Sequence, residues 1–391
     1  MVPTTQVPAV LFHEWNAESD SDGKTETETD PNSNSRKLVW ESIDIMKALD
    51  DAFPQTPKLV HDTPEYKAAQ DQMDELNKVG FAFLYATRPA ANNDKDADAD
   101  TDTPPLTEED IESRRQAFIS VLDDLEQSLQ QTAAGDGDGE GDANSGPFFR
   151  LGNEFSGMDA IMIPTLERWR YQLPLNQNMD ILENRPYLTK WFESMEAFAP
   201  YSDRVMGDEY SWVATSAMFA RYFGGGDDAI ERAESLAATL VEGFDDNEDG
   251  DDAGDGRGDG DAYGKFALEA ARKIVSNRDA IIKDCSNADP KSQASIGRCQ
   301  SADNAEAMMQ HVVTSLLNGA NANADADSKA GSKDVSSMPL SSALEGMDDD
   351  QRKDAALAAR TVASRLCVPR DMSAPAAKIL RSALMATSKR L

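Results

Sequence analysis

The chain has 391 residues, 71 acidic against 38 basic side chains, a formal net charge of −33 and three cysteines. Its length exceeds one ordinary core and predicts two folded units with linkers. The charge argues against a nucleic-acid partner, which needs Lys and Arg gathered on one face, and no run of 18 apolar residues offers a membrane span.

The acids are clustered. Segments 16–36, 91–102, 135–145 and 244–261 together hold 24 acidic and 4 basic residues, so the folded remainder is only moderately acidic. Met1 to Gln6 carry neither the basic nor the apolar part of a secretory leader, which predicts a soluble intracellular protein. Cys285, Cys299 and Cys367 lie far apart, so no disulfide framework is expected.

In chain order, Val7 to Phe12 and Lys37 to Trp40 have the length and β-branched or aromatic content of strands. Two strands so placed predict a hairpin, with the acidic stretch 16–36 as a disordered insert. Glu41 to Leu49 follows as a helix with Ser42 as its cap and Phe53-Pro54 beyond its end. Thr63-Pro64 opens a long amphipathic helix through Tyr66, Met73, Leu76 and Phe83, and Thr107 with Asp110 opens a second through Phe118, Leu122 and Leu129. An Asn/Asp-rich connection, 91–105, separates them, and a Gly/Asp-rich one, 132–146, follows.

Ser156 and Asp159 have the spacing of a capping box before a helix that is apolar nearly all round, through Ile161, Met162, Ile163 and Leu166. That pattern predicts a buried central helix, with Ser156 and Asp159 serving the fold rather than chemistry. Pro186 opens another helix, and further helices are expected over 229–244, 262–283, 302–317, 352–367 and 374–387.

Calcium loops fail at their last ligand: position 12 is Gly256 counting from Asp245 and Pro147 counting from Asp136. His13, His61 and His311 show no metal spacing, so no metal site is expected. Cys367 follows an apolar helix, where a cysteine is ordinarily packing. Trp169, Tyr171, Trp191, Phe192 and Tyr201 stand at helical spacing, which favours core over the lining of a second-substrate pocket.

Taken together, Val7-Pro8 before a strand, Glu41-Ser42 at a helix start, Gly146-Pro147-Phe148-Phe149, and the run Phe155-Ser156-x-x-Asp159 with Pro164, Glu167 and Arg168 resemble the glutathione transferase family. The last stretch is most similar to its lambda and omega branches, and the resemblance covers Val7 to Gly225. It implies a mainly α protein: a partial thioredoxin-like unit of hairpin plus helix over 1–57, the family's helical domain over 58–225, and a helical extension over 226–391.

The resemblance also implies that Val7, ahead of a cis Pro8, pairs its backbone with the cysteinyl part of glutathione. Ser42 and the helix start would then hold the γ-glutamyl carboxylate, and Glu41 would orient the ammonium end. The family's catalytic Ser, Tyr or Cys belongs to a strand-helix-strand unit ahead of Val7-Pro8, so no catalytic residue is carried over. Glutathione is implied as co-substrate, with a small electrophile or disulfide as second substrate and a homodimer as the assembly. The cytoplasm is the implied compartment, or the plastid where a leading segment precedes Met1. Two readings stay open: a transferase acting by conjugation, thiol transfer or dehydroascorbate reduction, and a non-catalytic binding or scaffold protein of the same build.

Overall fold

The computed structural model describes residues 9–13, 26–28, 36–86, 106–135, 147–223, 227–245, 260–287, 299–324 and 339–391. The protein is mainly helical. Strands β1 (Ala9–His13), β2 (Glu26–Glu28) and β3 (Arg36–Trp40) form an antiparallel sheet in the order β1-β3-β2, with Ala9 opposite Trp40 and Glu26 opposite Leu38. Strand β2 brings three residues of the expected insert 16–36 into the sheet, and residues 16–25 and 29–35 lie outside the described residues.

The helices are α1 (Ser42–Ala52), α2 (Pro64–Leu84), α3 (Glu108–Gly135), α4 (Gly157–Gln177), α5 (Pro186–Ala197), α6 (Ala199–Ser202) and α7 (Glu209–Phe223). They continue as α8 (Asp227–Glu242), α9 (Gly260–Ser276), α10 (Arg278–Asn287), α11 (Ala302–Ala324), α12 (Ser342–Glu345), α13 (Asp349–Arg365) and α14 (Ala374–Arg390). The single helix expected over 262–283 is two. Asn277 separates them, its Nδ2 bonding back to the Lys273 carbonyl at 2.9 Å, the competition with the helix ladder that disfavours Asn inside helices. Likewise α3 runs four residues into the expected connection 132–146.

The chain divides into two compact units, residues 1–81, 114–167 and 182–194 in one, and 82–113, 168–181 and 195–391 in the other. In the first, Tyr66, Met73, Leu76, Phe118, Leu122, Leu125, Met158, Met162 and Trp191 are buried. In the second, one apolar cluster joins Tyr210, Val213 and Ala217 of α7 to Ala267 and Ile274 of α9, Met308, Val312 and Leu316 of α11, Ala355 and Ala359 of α13, and Leu380 and Leu384 of α14. Alanine is frequent on these faces, and small side chains let helix axes approach closely.

Several helix starts are capped by carboxylates borrowed from other helices. Glu126 of α3 accepts the Tyr187 and Leu188 N–H groups of α5 at 2.9 and 2.8 Å. Glu269 of α9 accepts the Ser373 N–H and hydroxyl, at 2.9 and 2.8 Å, just ahead of α14. Asp354 of α13 accepts Gln300 N–H at 2.6 Å, Ser301 N–H at 2.9 Å and Asn304 Nδ2 at 3.0 Å at the start of α11. Each carboxylate meets both the orphan donors and the positive end of a helix dipole.

Burial raises the Asp354 pKa, but the bonds from Gln300, Asn304, Ser301 and Cys299 outweigh it and leave the group below its ordinary 3.8. A carboxyl depressed in the folded state adds stability that is present above its unfolded pKa and is lost as pH falls through the folded one. Asp354→Asn is therefore expected to cost about 1–3 kcal/mol at neutral pH. In urea titrations, its difference from the unmodified protein should shrink as pH drops below about 4.

Candidate functional site

The strand β3 ends at Trp40 and α1 begins at Ser42, so a single residue turns the chain from sheet to helix. That residue, Glu41, has φ 73° and ψ 130°, a conformation L-residues with a side chain rarely adopt. The corner is held by what lies behind it. Val39 of β3 packs with Ile45, Ala48 and Leu49 of α1, which fixes the helix against the sheet.

The first α-helical bond at this end runs from Ile45 N–H to the Glu41 carbonyl at 2.9 Å. The N–H groups of Ser42, Ile43 and Asp44 thus stand ahead of the helix's own ladder. The Glu41 side chain makes no capping bond to α1, and Glu41 and Ser42 are both exposed. Three donors and the positive end of the helix dipole suit a carboxylate or another small anion, with the Ser42 hydroxyl as a further donor. The side chain of Asp44 is engaged by Lys47, 3.9 Å away.

Strain at Glu41 has a measurable consequence. Glu41→Gly relieves a conformation that costs of order 1–3 kcal/mol and adds less than that in backbone entropy. The expected result is a protein more stable by about 1 kcal/mol in urea titration.

A relay of hydrogen bonds sets the far end of α1. Asp50 accepts the Leu59 and Val60 N–H groups at 2.8 and 2.9 Å, and the Leu59 carbonyl accepts the Gly157 N–H, at the first residue of α4, at 2.8 Å. A Cβ at Gly157 would meet Leu59 O at 2.7 Å, the Tyr66 hydroxyl at 2.9 Å and Met46 Sδ at 3.0 Å, so glycine alone fits. Burial, then the Asp50 and Asp159 carboxylates, raise the Tyr66 phenol pKa.

Asp159 is fully buried and accepts four hydrogen bonds. Its Oδ2 takes the Ser156 N–H at 2.9 Å and the Ser156 hydroxyl at 2.8 Å; its Oδ1 takes the Arg150 N–H at 2.7 Å and Trp191 Nε1 at 2.8 Å. The Asp159 N–H goes to the Ser156 carbonyl at 3.1 Å, whereas a reciprocal box would send it to the Ser156 hydroxyl. Trp191 as a third partner was not readable from the spacing of Ser156 and Asp159.

Val7 and Pro8 lie outside the described residues, as does most of each tested calcium loop. Trp169, Trp191, Phe192 and Tyr201 are buried and Tyr171 is half-buried. His61 lies 6.0 Å from the Tyr66 ring, between centroids, and His311 is buried in α11, where burial and Arg390 lower its pKa. Among the described residues, no cluster of three His, Cys, Asp or Glu side chains could hold a metal, and no helix is long and apolar enough to cross a membrane.

Comparison with known proteins adds one relative. Over 169 residues, 43% of this chain, the sequence is 30% identical to glutathione S-transferase L2, chloroplastic, of Arabidopsis thaliana. Those residues cover 46% of that protein, so the chain spans about half the length of the curated relative it matches. No protein-family model and no solved structure matches the chain. The chain is therefore similar, over part of its length, to a glutathione S-transferase.

Proposed function

We propose that this protein is glutathione transferase-like and binds glutathione at the Glu41-Ser42 corner. The observation that carries the reading is the uncapped start of α1 behind a strained single-residue turn. The N–H groups ahead of its ladder and the Ser42 hydroxyl suit the γ-glutamyl carboxylate, and the exposed Glu41 carboxylate suits the ammonium group beside it. The partial similarity to glutathione S-transferase L2 supports the same ligand. In this reading β1, β3 and α1 are the second half of a thioredoxin-like unit, and Val7 adds a strand-like backbone pairing to the ligand. The reactions are conjugation to an electrophile, or thiol transfer and dehydroascorbate reduction. The cytoplasm or, after the relative's name, the plastid is the proposed compartment, and a homodimer the proposed assembly.

A second reading is a non-catalytic binding module of the same build. It is favoured by the burial of Trp169, Trp191, Phe192 and Tyr201 in packing, which takes these four aromatic side chains away from any second-substrate surface.

Retention on immobilised glutathione, with elution by free glutathione, tests the shared claim. Ser42→Ala should weaken it about tenfold, the loss of one hydrogen bond to a charged group. Turnover of 1-chloro-2,4-dinitrobenzene or dehydroascorbate with glutathione then separates the readings: retention with turnover selects the transferase, and retention without it the binding module. Folded protein that passes through the resin unretained would sink glutathione binding at this corner and the transferase with it, leaving a scaffold protein of the same build.

A further inference from the structure

Cys285 and Cys299 are 14 positions apart in the sequence, yet the Cys299 N–H donates to the Cys285 carbonyl at 3.1 Å. That bond and the peptide dimensions hold the two Cα atoms within about 7 Å, and nearer 5–6 Å at ordinary angles. Disulfides span about 4.4–6.8 Å between Cα atoms.

The sulfurs rest on one face of α13. Cys299 Sγ lies 3.3 Å from Asp354 Oδ2, and Cys285 Sγ lies 3.9 Å from the Ala358 carbonyl, one helical turn further on. Asp354 and Ala358 are about 6 Å apart along the helix axis, and each cysteine's χ1 rotation moves its sulfur relative to the other. Both are free thiols, 1% and 2% exposed.

Little stands against closure. The Cys299 S–H would leave the Ser301 carbonyl, 3.1 Å from its sulfur, and Asp354, which keeps three N–H donors. Cys285 would lose only a long, weak bond.

We infer that Cys285 and Cys299 are a dithiol that closes to an intramolecular disulfide by exchange with a low-molecular-weight disulfide, tying the end of α10 to the residues that start α11. The step balances. One cysteine thiolate, its proton passed to water, attacks R–S–S–R, forming a protein mixed disulfide and releasing R–S⁻, which takes up a proton. The second thiolate attacks the protein sulfur of that mixed disulfide and releases a second R–S⁻, which is likewise protonated. The protein loses two hydrogens and the reagent is reduced to two R–SH.

Burial, with the Cys299 sulfur as the next cause, pushes the Cys285 thiol up to about 12, and burial pushes Cys299 up to about 11. Exchange is accordingly slow and follows local opening of the packing, with Cys299 the readier nucleophile. The inference is independent of glutathione binding at α1.

The test uses the full chain, reduced, freed of reductant and incubated without oxygen in 2-hydroxyethyl disulfide. Remaining thiols are then alkylated and the digest is mapped by mass spectrometry. The expected result is a peptide linked through Cys285 and Cys299 with Cys367 alkylated. Its thermal midpoint should lie on the order of 5 °C above that of the reduced chain, from closing the loop 286–298. Cys285→Ser and Cys299→Ser should each abolish that shift; if either fails to fold, the map of the unmodified chain decides. Three alkylated cysteines, a persistent hydroxyethyl adduct at either position, or a link through Cys367 would overturn the inference.

Discussion

Asp159→Ala is expected to be among the most damaging single changes in this protein, costing about 3–5 kcal/mol. The carboxylate is 0% exposed, so bulk solvent does not reach the donors it serves. Its removal leaves the Ser156 and Arg150 N–H groups and Trp191 Nε1 without acceptors, and each buried unsatisfied donor costs about 1–3 kcal/mol. Three elements lose their common anchor: the segment leading from Phe149, the first turn of α4, and α5 through Trp191. Asp159→Asn keeps the shape and one oxygen, and should fall between Ala and the unmodified chain. Urea unfolding followed by tryptophan fluorescence measures the series. A midpoint for the Ala variant within about 1 kcal/mol of the unmodified chain would show that the network carries little stability.

Arg381→Ala should cost a similar about 3–5 kcal/mol in the second unit. The guanidinium is 3% exposed and pairs with Asp208, donates to the Leu366 carbonyl at 2.7 Å and to the Ser211 hydroxyl at 3.2 Å, and lies over the rings of Tyr210 and Phe244 at 4.7 and 5.0 Å. Asp208 in turn accepts the Ser211 N–H at 2.8 Å at the start of α7. Tyr210, its hydroxyl on the Ser364 carbonyl at 2.6 Å, has its pKa raised to about 12, mainly by burial. One side chain of α14 therefore fixes α7 and the residues after α13. Lysine supplies the charge without the planar fork, so Arg381→Lys should recover only part of the loss. Thermal unfolding gives the ranking, and near-ultraviolet dichroism should weaken as the rings around Arg381 lose their packing.

How much of this could be read from the residues varies by element. The starts of α2 and α3 were legible because their signals are local: the Thr63 hydroxyl accepts the Tyr66 N–H, and Thr107 and Asp110 bond reciprocally. The helix α7 was not anticipated. Its sequence mixes aromatic residues with Ser and Thr, and its cap, Asp208, is identified as much by Arg381 far along the chain as by its neighbours.

The site shows the same division. A helix start beside Ser42 was legible from its neighbours, but Ser42 is not the cap it was expected to be: it is the first helical residue, and Glu41 holds the N-cap position without a side-chain bond. The φ of 73° at Glu41 was not legible, since no glycine or asparagine advertises that turn. The approach of Cys285 to Cys299 was hidden for a related reason: sequence distance says nothing of a contact made by folding.

The carboxylates that cap helices from elsewhere in the chain bear on how the protein tolerates being cut. Glu126, Glu269 and Asp354 each complete a helix to which they do not belong. Cleavage in 325–338 with loss of residues 339–391 would strip α11 of the acceptor at its first turn, although every residue of α11 remained. A fragment chosen by helix boundaries would thus end in a frayed helix, and a workable dissection of the second unit has to keep α9, α11, α13 and α14 together.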